Sequence, residues 1–576
     1  MRKDYNRKNT KFISIIDKVL IVIAIIAIFV LIIPKSIDAD TELKRVFDIV
    51  DWVLTAVFIL IYYVKWGSKR FNIYYLRNNW QEFFLIFLFF ILPLPFLRTV
   101  SISNYFINEG FMAKLFIISN ILLNSARLWQ RITKTYLQPS LLIAISFLLL
   151  ILIGTGFLLL PGATFSTDKI GTIDALFIAT SSTCLSGLTI ADTGSYFTRF
   201  GQITILSLIQ IGGIGLVIIV AFFSLLLGNG FGLKESFIIS EVFGTKVRSK
   251  ASSVVALTII LVFALEFMGF LILYFAWAKP YDLGNGSAIY YSLFHSISAF
   301  CNSGFTLFDD SYIGFRGDII FNITISFLIF LGGIGSVVMI DIIRSKIFRR
   351  GSLLLHTKLV LTVTLSLIIL GYGCILITEW HNSLYELSVS EKFMSAFFLS
   401  LTSRTAGFTT INLSELTFAT QFLLMFLMFI GASPTGTGGG IKTSTFGVFI
   451  CYIWSMLKGE GATNAFRRSI NIDNVRNALL LIVISAIIIS FFGFLLILTE
   501  EGESIDILFN LFSAFNNVGF AVRPIEDMTD FGKVILIIAM FIGRVGPLTI
   551  VLALSQFGYP RKEIAYEYPE EDIIVG

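Results

Sequence analysis

The chain alternates long apolar runs with short charged connectors, and this alternation limits its possible folds more than any other feature. Ile15–Pro34 and Leu141–Leu160 are two such runs, and each is 20 residues long. An apolar run of about 20 residues has the length of a helix that crosses a bilayer. Charged residues form only 14% of the chain, whereas about a quarter is usual for a soluble domain. The sequence therefore predicts an all-α polytopic membrane protein surrounded by membrane lipid.

The formal net charge of +5 is concentrated in alternate connectors, which argues against a nucleic-acid-binding surface. Lys and Arg clustered on one side of the membrane form the positive-inside pattern of cytoplasmic loops. The pattern predicts a multi-pass protein of the cell (plasma or inner) membrane with both termini in the cytoplasm. The basic start precedes an apolar run that is too long for a cleavable signal. The basic connectors are Arg2–Lys11, Lys65–Arg77, Arg127–Lys134, Lys234–Lys250, Arg344–Arg350, Lys458–Arg476 and Arg561–Lys562.

The sequence motifs that mark common enzyme sites do not occur in this chain. The four cysteines form no CxxC pair, which argues against zinc-ribbon and redox sites. The three histidines are far apart, so no metal-hydrolase cluster is predicted. The stretch GGGIKTS superficially resembles a phosphate-binding loop, but Ile441 separates its glycines from Lys442. That loop requires adjacent Gly and Lys, so the chain is predicted to be neither an enzyme nor a nucleotide-binding protein.

Four segments of the sequence repeat one pattern around a glycine. They read ALFIATSSTCLSGLT, SLFHSISAFCNSGFT, SAFFLSLTSRTAGFT and ILFNLFSAFNNVGFA, and they align on Gly187, Gly304, Gly407 and Gly519. A phenylalanine lies ten residues before each glycine, and a large apolar residue lies directly after each glycine. The glycines are 117, 103 and 112 positions apart, which leaves room in each repeat for two spanning helices and a re-entrant segment.

Each repeated segment is too short to cross a bilayer of roughly 30 Å, so it is expected to enter and leave the same membrane face. Irregular backbone at membrane depth persists where it lines a cavity or is buried in protein, and four such loops around one axis would line a pore. The carbonyl end of a short helix is partly negative, and rings of carbonyls replace the water shell of a monovalent cation. Close helix packing is the alternative role of the glycines, but four copies in register disfavour it. The predicted filter loops lie near 183–187, 300–304, 403–407 and 515–519, with the residues Cys184, Leu185, Ser186, Gly187, Cys301, Asn302, Ser303, Gly304, Arg404, Thr405, Ala406, Gly407, Asn516, Asn517, Val518 and Gly519.

Five stretches of the chain carry more specific motifs. They are TSSTCLSGLTIADT (Thr180–Thr193), TSRTAGFTTINL (Thr402–Leu413), FIGASPTGTGGGIKTSTF (Phe429–Phe446), FIGRVGPLT (Phe541–Thr549) and YPEEDIIVG (Tyr568–Gly576). The first two resemble filter loops of the Trk/Ktr/HKT superfamily of potassium transporters. The third resembles the broken helix of that superfamily's third repeat, and the fourth resembles its last pore-lining helix. The last stretch is similar to the tail of the Ktr membrane subunit.

The resemblance implies that residues 136–576 form a pore domain of four repeats, each with the order helix, pore helix, filter loop, helix. It implies potassium uptake across the plasma membrane, with sodium as a second candidate ion. By the same resemblance the chain forms a homodimer in which each subunit has its own pore. A cytoplasmic ring of nucleotide- and potassium-sensing regulatory subunits is the implied partner, so nucleotide is expected on the regulator and not on this chain.

The third repeat has ASPTGTGGG (Ala432–Gly440) where a membrane helix is expected, and proline and consecutive glycines break helices. The resemblance gives this segment the role of an intramembrane loop that closes the path under the filter. Gly212–Gly215 and Gly332–Gly335 are in the second helices of the first two repeats, where close helix packing is their expected role. Arg544 is an isolated charge in an apolar run, and it is expected to hold carbonyls of the loop or to pair with an acidic neighbour. The predicted gate residues are Gly436, Gly438, Gly439, Gly440, Lys442 and Arg544.

Residues 1–135 lie outside this pattern and hold about four additional predicted helices. RFNIYYLRNNWQEFF (Arg70–Phe84) is faintly similar to the third helix of voltage-sensor domains. The fourth segment lacks intramembrane arginines, so a voltage sensor is the disfavoured interpretation. Two other functions remain open for the whole chain. One is a sodium-coupled symporter with alternating access, which would favour inverted repeats, and the other is a sensory membrane scaffold with a non-conducting pore.

Overall fold

The structure is a computed structural model of the chain. It describes residues 139–165, 170–222 apart from 216, 217 and 220, 251–278, 285–347 and 352–550, together with scattered helical positions between 50 and 64. Apart from those positions, the predicted N-terminal helices lie outside the described residues, as do the disfavoured voltage sensor, both termini and the tail Tyr568–Gly576.

The described helices repeat one order four times: a long first helix, a short pore helix and a second helix. Repeat 1 contains α1 (Pro139–Leu158), α2 (Thr172–Cys184) and α3 (Arg199–Ile214). Repeat 2 contains α4 (Ala251–Leu273), α5 (Asn285–Phe300), α6 (Ile319–Ile334) and its continuation α7 (Ser336–Ile342). Repeat 3 contains α8 (Leu355–Glu379), α9 (Val389–Thr402), α10 (Phe418–Phe429) and α11 (Thr443–Leu457). Repeat 4 follows a small hairpin of β1 (Asn464–Ala465) and β2 (Arg468–Ser469), and contains α12 (Ile472–Thr499), α13 (Ser504–Asn516) and α14 (Asp530–Val545).

The first helices are long and apolar enough to cross a membrane, over Leu141–Leu158, Ser252–Ala278, Leu355–Glu379 and Ile472–Thr499. A fifth span results if Ile319–Ile334 and Ser336–Ser345, which are bent by 97°, count as one. Large apolar side chains on the first helices are exposed, as expected where lipid surrounds the helix. The predicted polytopic, all-α membrane fold is therefore confirmed.

The pore helices α2, α5, α9 and α13 are 13 to 16 residues long. At 1.5 Å per residue they measure about 20–24 Å, which is shorter than a bilayer core of roughly 30 Å. We call the side of the molecule on which they begin the outer face. The second helix of each repeat packs on the pore helix of a neighbouring repeat: α3 on α5, α6 on α9, α10 on α13 and α14 on α2. Because the last repeat contacts the first, the four repeats close into a circle.

The second helices begin alike, because each has a side chain that caps its N-terminus. The capping side chain accepts a hydrogen bond from the main-chain N–H three residues later, as is typical of Thr and Asp at this position. The capping residues are Thr198, Asp318, Thr417 and Thr529. The shared cap fixes the point at which each chain segment, having left its filter loop, turns back into the membrane.

All four second helices are broken, whereas only the third break was predicted from the sequence. The helices α3, α6 and α14 end at Gly215, Gly335 and Gly546, which have φ of 87°, 84° and 96°. Glycine enters this region without a steric penalty. In repeat 3 the break is the whole segment between α10 and α11. The signal that was missed is a shared Gly-X-X-Gly spacing in GGIG, GGIG and GRVG.

Gly212 and Gly332 have the packing role that the sequence predicts, and Gly543 has the same role in repeat 4. Gly212, Gly332 and Gly543 lie against main-chain carbonyls at the ends of pore helices, and a Cβ on any of them would overlap that carbonyl oxygen. The carbonyls belong to Thr183, Phe300 and Phe515. Small residues allow such close approach of membrane helices, so the second helices lie directly against the base of the filter loops.

Candidate ion-selectivity site and gate

Three of the four pore helices end in the same tight turn. Leu185, Asn302 and Asn517 follow the helices with φ of 63°, 54° and 54°, in the left-handed region. The next residue donates its N–H to the carbonyl five positions back, over 2.8 Å from Ser186, 3.0 Å from Ser303 and 2.9 Å from Val518. These N–H groups therefore point towards the pore helix, and the loop turns at the glycine that follows.

The third loop differs from the other three in register. Thr405 stands where the other loops have their left-handed residue, and it is not among the residues with positive φ. Ala406 donates its N–H to the Thr402 carbonyl over 2.9 Å, and the bond five positions back is made one residue later, by Gly407, over 3.4 Å. The ring of loops therefore has approximate but not exact fourfold symmetry.

The four glycines of the repeated motif meet in one closed ring. Their φ values are 79°, 76°, 70° and 102° for Gly187, Gly304, Gly407 and Gly519. A Cβ on Gly187 would lie 2.7 Å from the Ser303 carbonyl oxygen, and one on Gly519 would lie 2.6 Å from the Ser186 carbonyl oxygen.

The remaining two contacts complete the ring of glycines. A Cβ on Gly304 would lie 2.9 Å from Cα of Gly187 and 3.2 Å from the Ala406 carbonyl oxygen, and one on Gly407 would overlap the Val518 carbonyl oxygen. Each glycine thus lies against the carbonyl that precedes the glycine of a neighbouring repeat. Only glycine satisfies both the φ angle and this spacing.

The non-glycine residues of the predicted filter are enclosed in protein, and the exposure in this region is at three of the glycines. Each non-glycine residue among the sixteen is buried, whereas Gly304, Gly407 and Gly519 keep partial exposure. Within the described chain, no main-chain hydrogen bond ends on the main-chain oxygens of these sixteen residues. A ring of carbonyl oxygens without internal donors has the chemistry that replaces a cation's water shell.

The main chain of Arg404 is part of the third loop, whereas its side chain contacts the second helix of the same repeat. The guanidinium is buried, and Nη2 donates to the Gly431 carbonyl at the end of α10 over 3.1 Å. A neighbouring contact joins loops two and three, where the Asn302 amide and the Thr405 hydroxyl are 2.9 Å apart. Arg404 thus connects the third filter loop to the break in its own second helix.

The broken segment of repeat 3, residues 430–442, is held by main-chain hydrogen bonds within the segment and to repeat 2. The N–H of Gly431 donates to the Ile441 carbonyl over 2.9 Å. Ser433 and Thr437 donate their N–H groups over 3.0 and 3.2 Å to the carbonyls of Gly333 and Gly332. We call this segment the intramembrane loop, and it bridges the second helices of repeats 2 and 3.

The glycines of the intramembrane loop lie against the inner ends of the third and fourth filter loops. A Cβ on Gly438 would lie 2.7 Å from Cβ of Thr405, and a Cβ on Gly439 would lie 2.9 Å from Cβ of Asn517. A Cβ on Gly440 would lie 3.1 Å from Cβ of Asn516. The structure therefore brings the predicted filter residues and the predicted gate residues together.

Two basic side chains are directed at carbonyls of the intramembrane loop. Lys442 Nζ donates to the Gly438 carbonyl over 2.6 Å. Arg544 on α14 donates to the carbonyls of Thr437 and Gly212. No carboxylate pairs with Arg544 in the described part of the chain, where its partners are these carbonyls and the Phe147 ring, 5.7 Å from Cζ. Arg544 therefore joins repeats 1, 3 and 4 at the level of the loop.

Carboxylates from three repeats lie near one another on the outer side of the filter. Burial, followed by the charges of Asp309, Asp310 and Glu526, raises the pKa of Asp192 above the ordinary value of an aspartate. The four residues are in the segments between the filter loops and the second helices. Negative charge at the mouth of a narrow path raises the local concentration of cations.

Sequence reasoning missed one buried charge beside the filter, Glu266 on α4. It is hydrogen-bonded to Gln210 on α3 and lies near the sulfur of Cys301. The available signal was an acidic residue in the middle of an apolar helix, which is costly in a membrane and is retained for a reason. Arg544 is an isolated charge of the same kind.

Four similar repeats that close a circle, with the loop glycines of neighbouring repeats in contact, define a polytopic membrane protein built from helical repeats. Residues 108–558 match the TrkH family, whose description is cation transport protein. The chain belongs to this family.

Curated relatives and a solved structure agree with this assignment. The chain is 36% identical to Ktr system potassium uptake protein B of Bacillus subtilis, over 78% of this chain and 98% of that protein. It is 35% identical to the potassium/sodium uptake protein NtpJ of Enterococcus hirae, over 76% of this chain and 98% of that protein. The crystal structure of the potassium transporter TrkH from Vibrio parahaemolyticus has the same fold, with a TM-score of 0.60 and 16% identity over 83% of this chain and 97% of that one.

Proposed function

We propose that this chain takes up potassium through the ring of main-chain carbonyls formed by its four filter loops. The closed ring of Gly187, Gly304, Gly407 and Gly519 is the observation that carries the proposal. Such a ring holds a dehydrated monovalent cation. Relatives named as potassium uptake proteins, which match 78% and 76% of this chain, support potassium as the ion.

The filter prefers potassium and rubidium over sodium, but less strictly than a channel with four identical loops. The residues before the glycines are Ser186, Ser303, Ala406 and Val518, and the third loop has its own register. Unlike loops constrain the width of a carbonyl ring less uniformly, and selectivity depends on that geometry. Sodium is a second transported ion in this proposal, supported by the relative named as a potassium/sodium uptake protein.

The intramembrane loop acts as the gate of this path. Its contacts with the inner ends of filter loops three and four support the assignment, since a segment in that position obstructs an ion that leaves the filter. Gly436, Gly438, Gly439 and Gly440 let its backbone approach the filter closely, and Lys442 and Arg544 hold its carbonyls. Opening requires the hydrogen bond from Arg544 to the Thr437 carbonyl to break.

The competing functions have weaker support. A symporter with alternating access is favoured by inverted repeats around a midplane site, whereas these four repeats share one order and close a circle. A non-conducting scaffold has no need for four glycines with positive φ in one ring.

The chain is placed in the plasma (inner) membrane with both termini in the cytoplasm, as the distribution of its basic connectors favours. We assign it a homodimeric state with one pore per subunit, and a cytoplasmic regulatory ring that carries the nucleotide. The basic hairpin connector Lys458–Arg476 is on the face opposite to the outer face and offers exposed charge to such a ring.

Flux measurements on the purified full chain in liposomes test this function. Potassium and rubidium should enter faster than sodium, and potassium entry should need no sodium gradient. Gly304→Ser places a Cβ 2.9 Å from Cα of Gly187 at a φ of 76°, so the ring must widen and the potassium-to-sodium flux ratio should fall.

Gly156→Ser is the matched control, because no atom lies within 4 Å of the added Cβ. It should keep the wild-type ratio. Absence of cation flux in the folded wild type, or an unchanged ratio in folded Gly304→Ser, would contradict the proposed filter. Potassium entry that stops without a sodium gradient would favour the symporter.

A further inference from the structure

A buried acidic side chain lies directly behind the second filter loop. Glu266 is within the span Ser252–Ala278 and is 4% exposed. Both of its carboxyl oxygens are 3.0 Å from Nε2 of Gln210 on α3. Among the described residues, no basic side chain forms an ion pair with it. A carboxyl group at this depth is costly and usually has a functional role.

Glu266 and Gln210 form a polar cluster with Cys301, the first filter residue after α5. Its sulfur is 3.9 Å from Oε1 of Glu266 and 3.9 Å from Oε1 of Gln210. A Cβ on Gly213 would lie 2.7 Å from the same sulfur, so α3 leaves no free space behind the loop. The carboxyl group therefore links the first helix of repeat 2, the second helix of repeat 1 and the start of the second filter loop.

This polar cluster occupies one of four similar seams between repeats. Gln210 precedes the packing glycine of its second helix by two residues, and the corresponding residues in the other repeats are Phe330, Phe429 and Phe541. Phenylalanine is therefore sufficient to pack the other three seams. A glutamine that pairs with a buried carboxyl group at the remaining seam does more than fill space.

We infer that Glu266 is a positioning residue that sets the cation preference of the filter by holding the Cys301 end of the second loop through Gln210. The inference rests on the proposed filter function. A carbonyl ring that loses this support relaxes around the smaller sodium ion, so discrimination falls while conduction continues. The carboxyl group acts through its hydrogen bonds, because its partners are an amide and a thiol and not a cation.

The test is the potassium-to-sodium flux ratio of the purified full chain in liposomes. Glu266→Leu should lower the ratio about five- to tenfold, as expected when one or two hydrogen bonds that favour one arrangement are lost. Glu266→Gln keeps the length and one acceptor oxygen for Gln210, and it should retain the ratio within about twofold. Gln210→Leu should reproduce the effect of Glu266→Leu, and the double variant should add little, because both act on one cluster.

Ser296→Ala is the matched control. Ser296 on α5 donates from Oγ to the main-chain oxygen of Glu266 over 2.6 Å, so its loss loosens the contact of α5 with α4 and leaves the carboxyl cluster in place. The ratio should then stay at the wild-type value. Thermal unfolding and size-exclusion profiles identify the variants that fold, and Gln210→Leu keeps the test decisive if Glu266→Leu does not fold.

Three results would overturn the inference. They are a wild-type ratio in folded Glu266→Leu or Gln210→Leu, an equal fall in Ser296→Ala, and a fall in Glu266→Gln as large as in Glu266→Leu. Gly304→Ser in the same series separates the two proposals. If it lowers the ratio and Glu266→Leu does not, only the role of Glu266 is wrong, whereas an unchanged ratio in Gly304→Ser refutes the filter itself.

Discussion

Replacing Arg544 by leucine removes the side chain that fastens the intramembrane loop to two repeats. Arg544 donates to the carbonyls of Thr437 in the loop and Gly212 in α3. Only the bond to Thr437 is lost when the loop moves, and a hydrogen bond to a charged group contributes about 1.5–3 kcal/mol, so the seated loop should lose about that much relative to a displaced, hydrated loop. At 1.4 kcal/mol per tenfold change, this loss shifts the equilibrium roughly 10- to 100-fold towards the open path. Potassium flux in Arg544→Leu should therefore rise at least about tenfold.

Potassium flux into liposomes containing equal amounts of folded protein measures this effect. Arg544→Lys keeps the charge but reaches one carbonyl at most, so its flux should lie between wild type and Arg544→Leu. Arg523→Leu is the matched control, because Arg523 also donates to two main-chain carbonyls, those of Glu501 and Asp527, but at the outer face. It should leave flux unchanged. Flux at or below the wild-type level in folded Arg544→Leu would refute the fastening role.

Three further predictions concern the gate, the outer mouth and the tail. Deleting part of Thr435–Gly440 should raise potassium flux several-fold in protein that still folds, and lower flux would contradict the blocking role of the loop. The raised pKa of Asp192 means that its charge is lost at a higher pH than for an ordinary aspartate as the solution is acidified, so uptake at low potassium should weaken earlier. Asp309→Asn removes one cause of that rise and so lowers the pKa of Asp192. In a pH profile of uptake, the decline should then move to lower pH. An unmoved profile would count against a role of Asp192 in uptake. Removing Tyr568–Gly576 should weaken dimerisation or binding of a soluble regulatory ring and leave the ion preference intact. Sedimentation and pull-down at two salt concentrations measure this. Wild-type affinity for both the second subunit and the ring would show that the tail is merely solvated.

The four glycines of the repeated motif were predictable because the repeated pattern is contained in short, continuous stretches of sequence. Gly187 and its three counterparts occur after the same short apolar segment, and that segment is too short to cross a membrane. Length and register thus pointed to re-entrant loops. The proline and glycines of Ala432–Gly440 predicted a broken helix in the same way, since their effect on a helix does not depend on distant residues.

The remaining helix breaks were not predictable by the same reasoning. Gly212 and Gly215 lie three residues apart in one apolar helix, and sequence gives both the same packing role. The structure separates them, because Gly212 lies against the Thr183 carbonyl whereas Gly215 has a φ of 87° and no atom near an added Cβ. Backbone angles at such a point are set by neighbouring repeats, so the spacing is informative only once one break is known.

The sequence by itself determined the membrane class and the four repeats with their glycines, because hydrophobic period, segment length and glycine are local properties of the chain. Only the tertiary structure decided which groups meet. Arg544 reaches carbonyls that are 107 and 332 positions away in sequence. Glu266 finds an amide 56 positions away. A charge in an apolar run indicates that a partner is needed. The identity of the partner depends on how the four helical repeats close a circle, and this closure is set by tertiary packing between repeats.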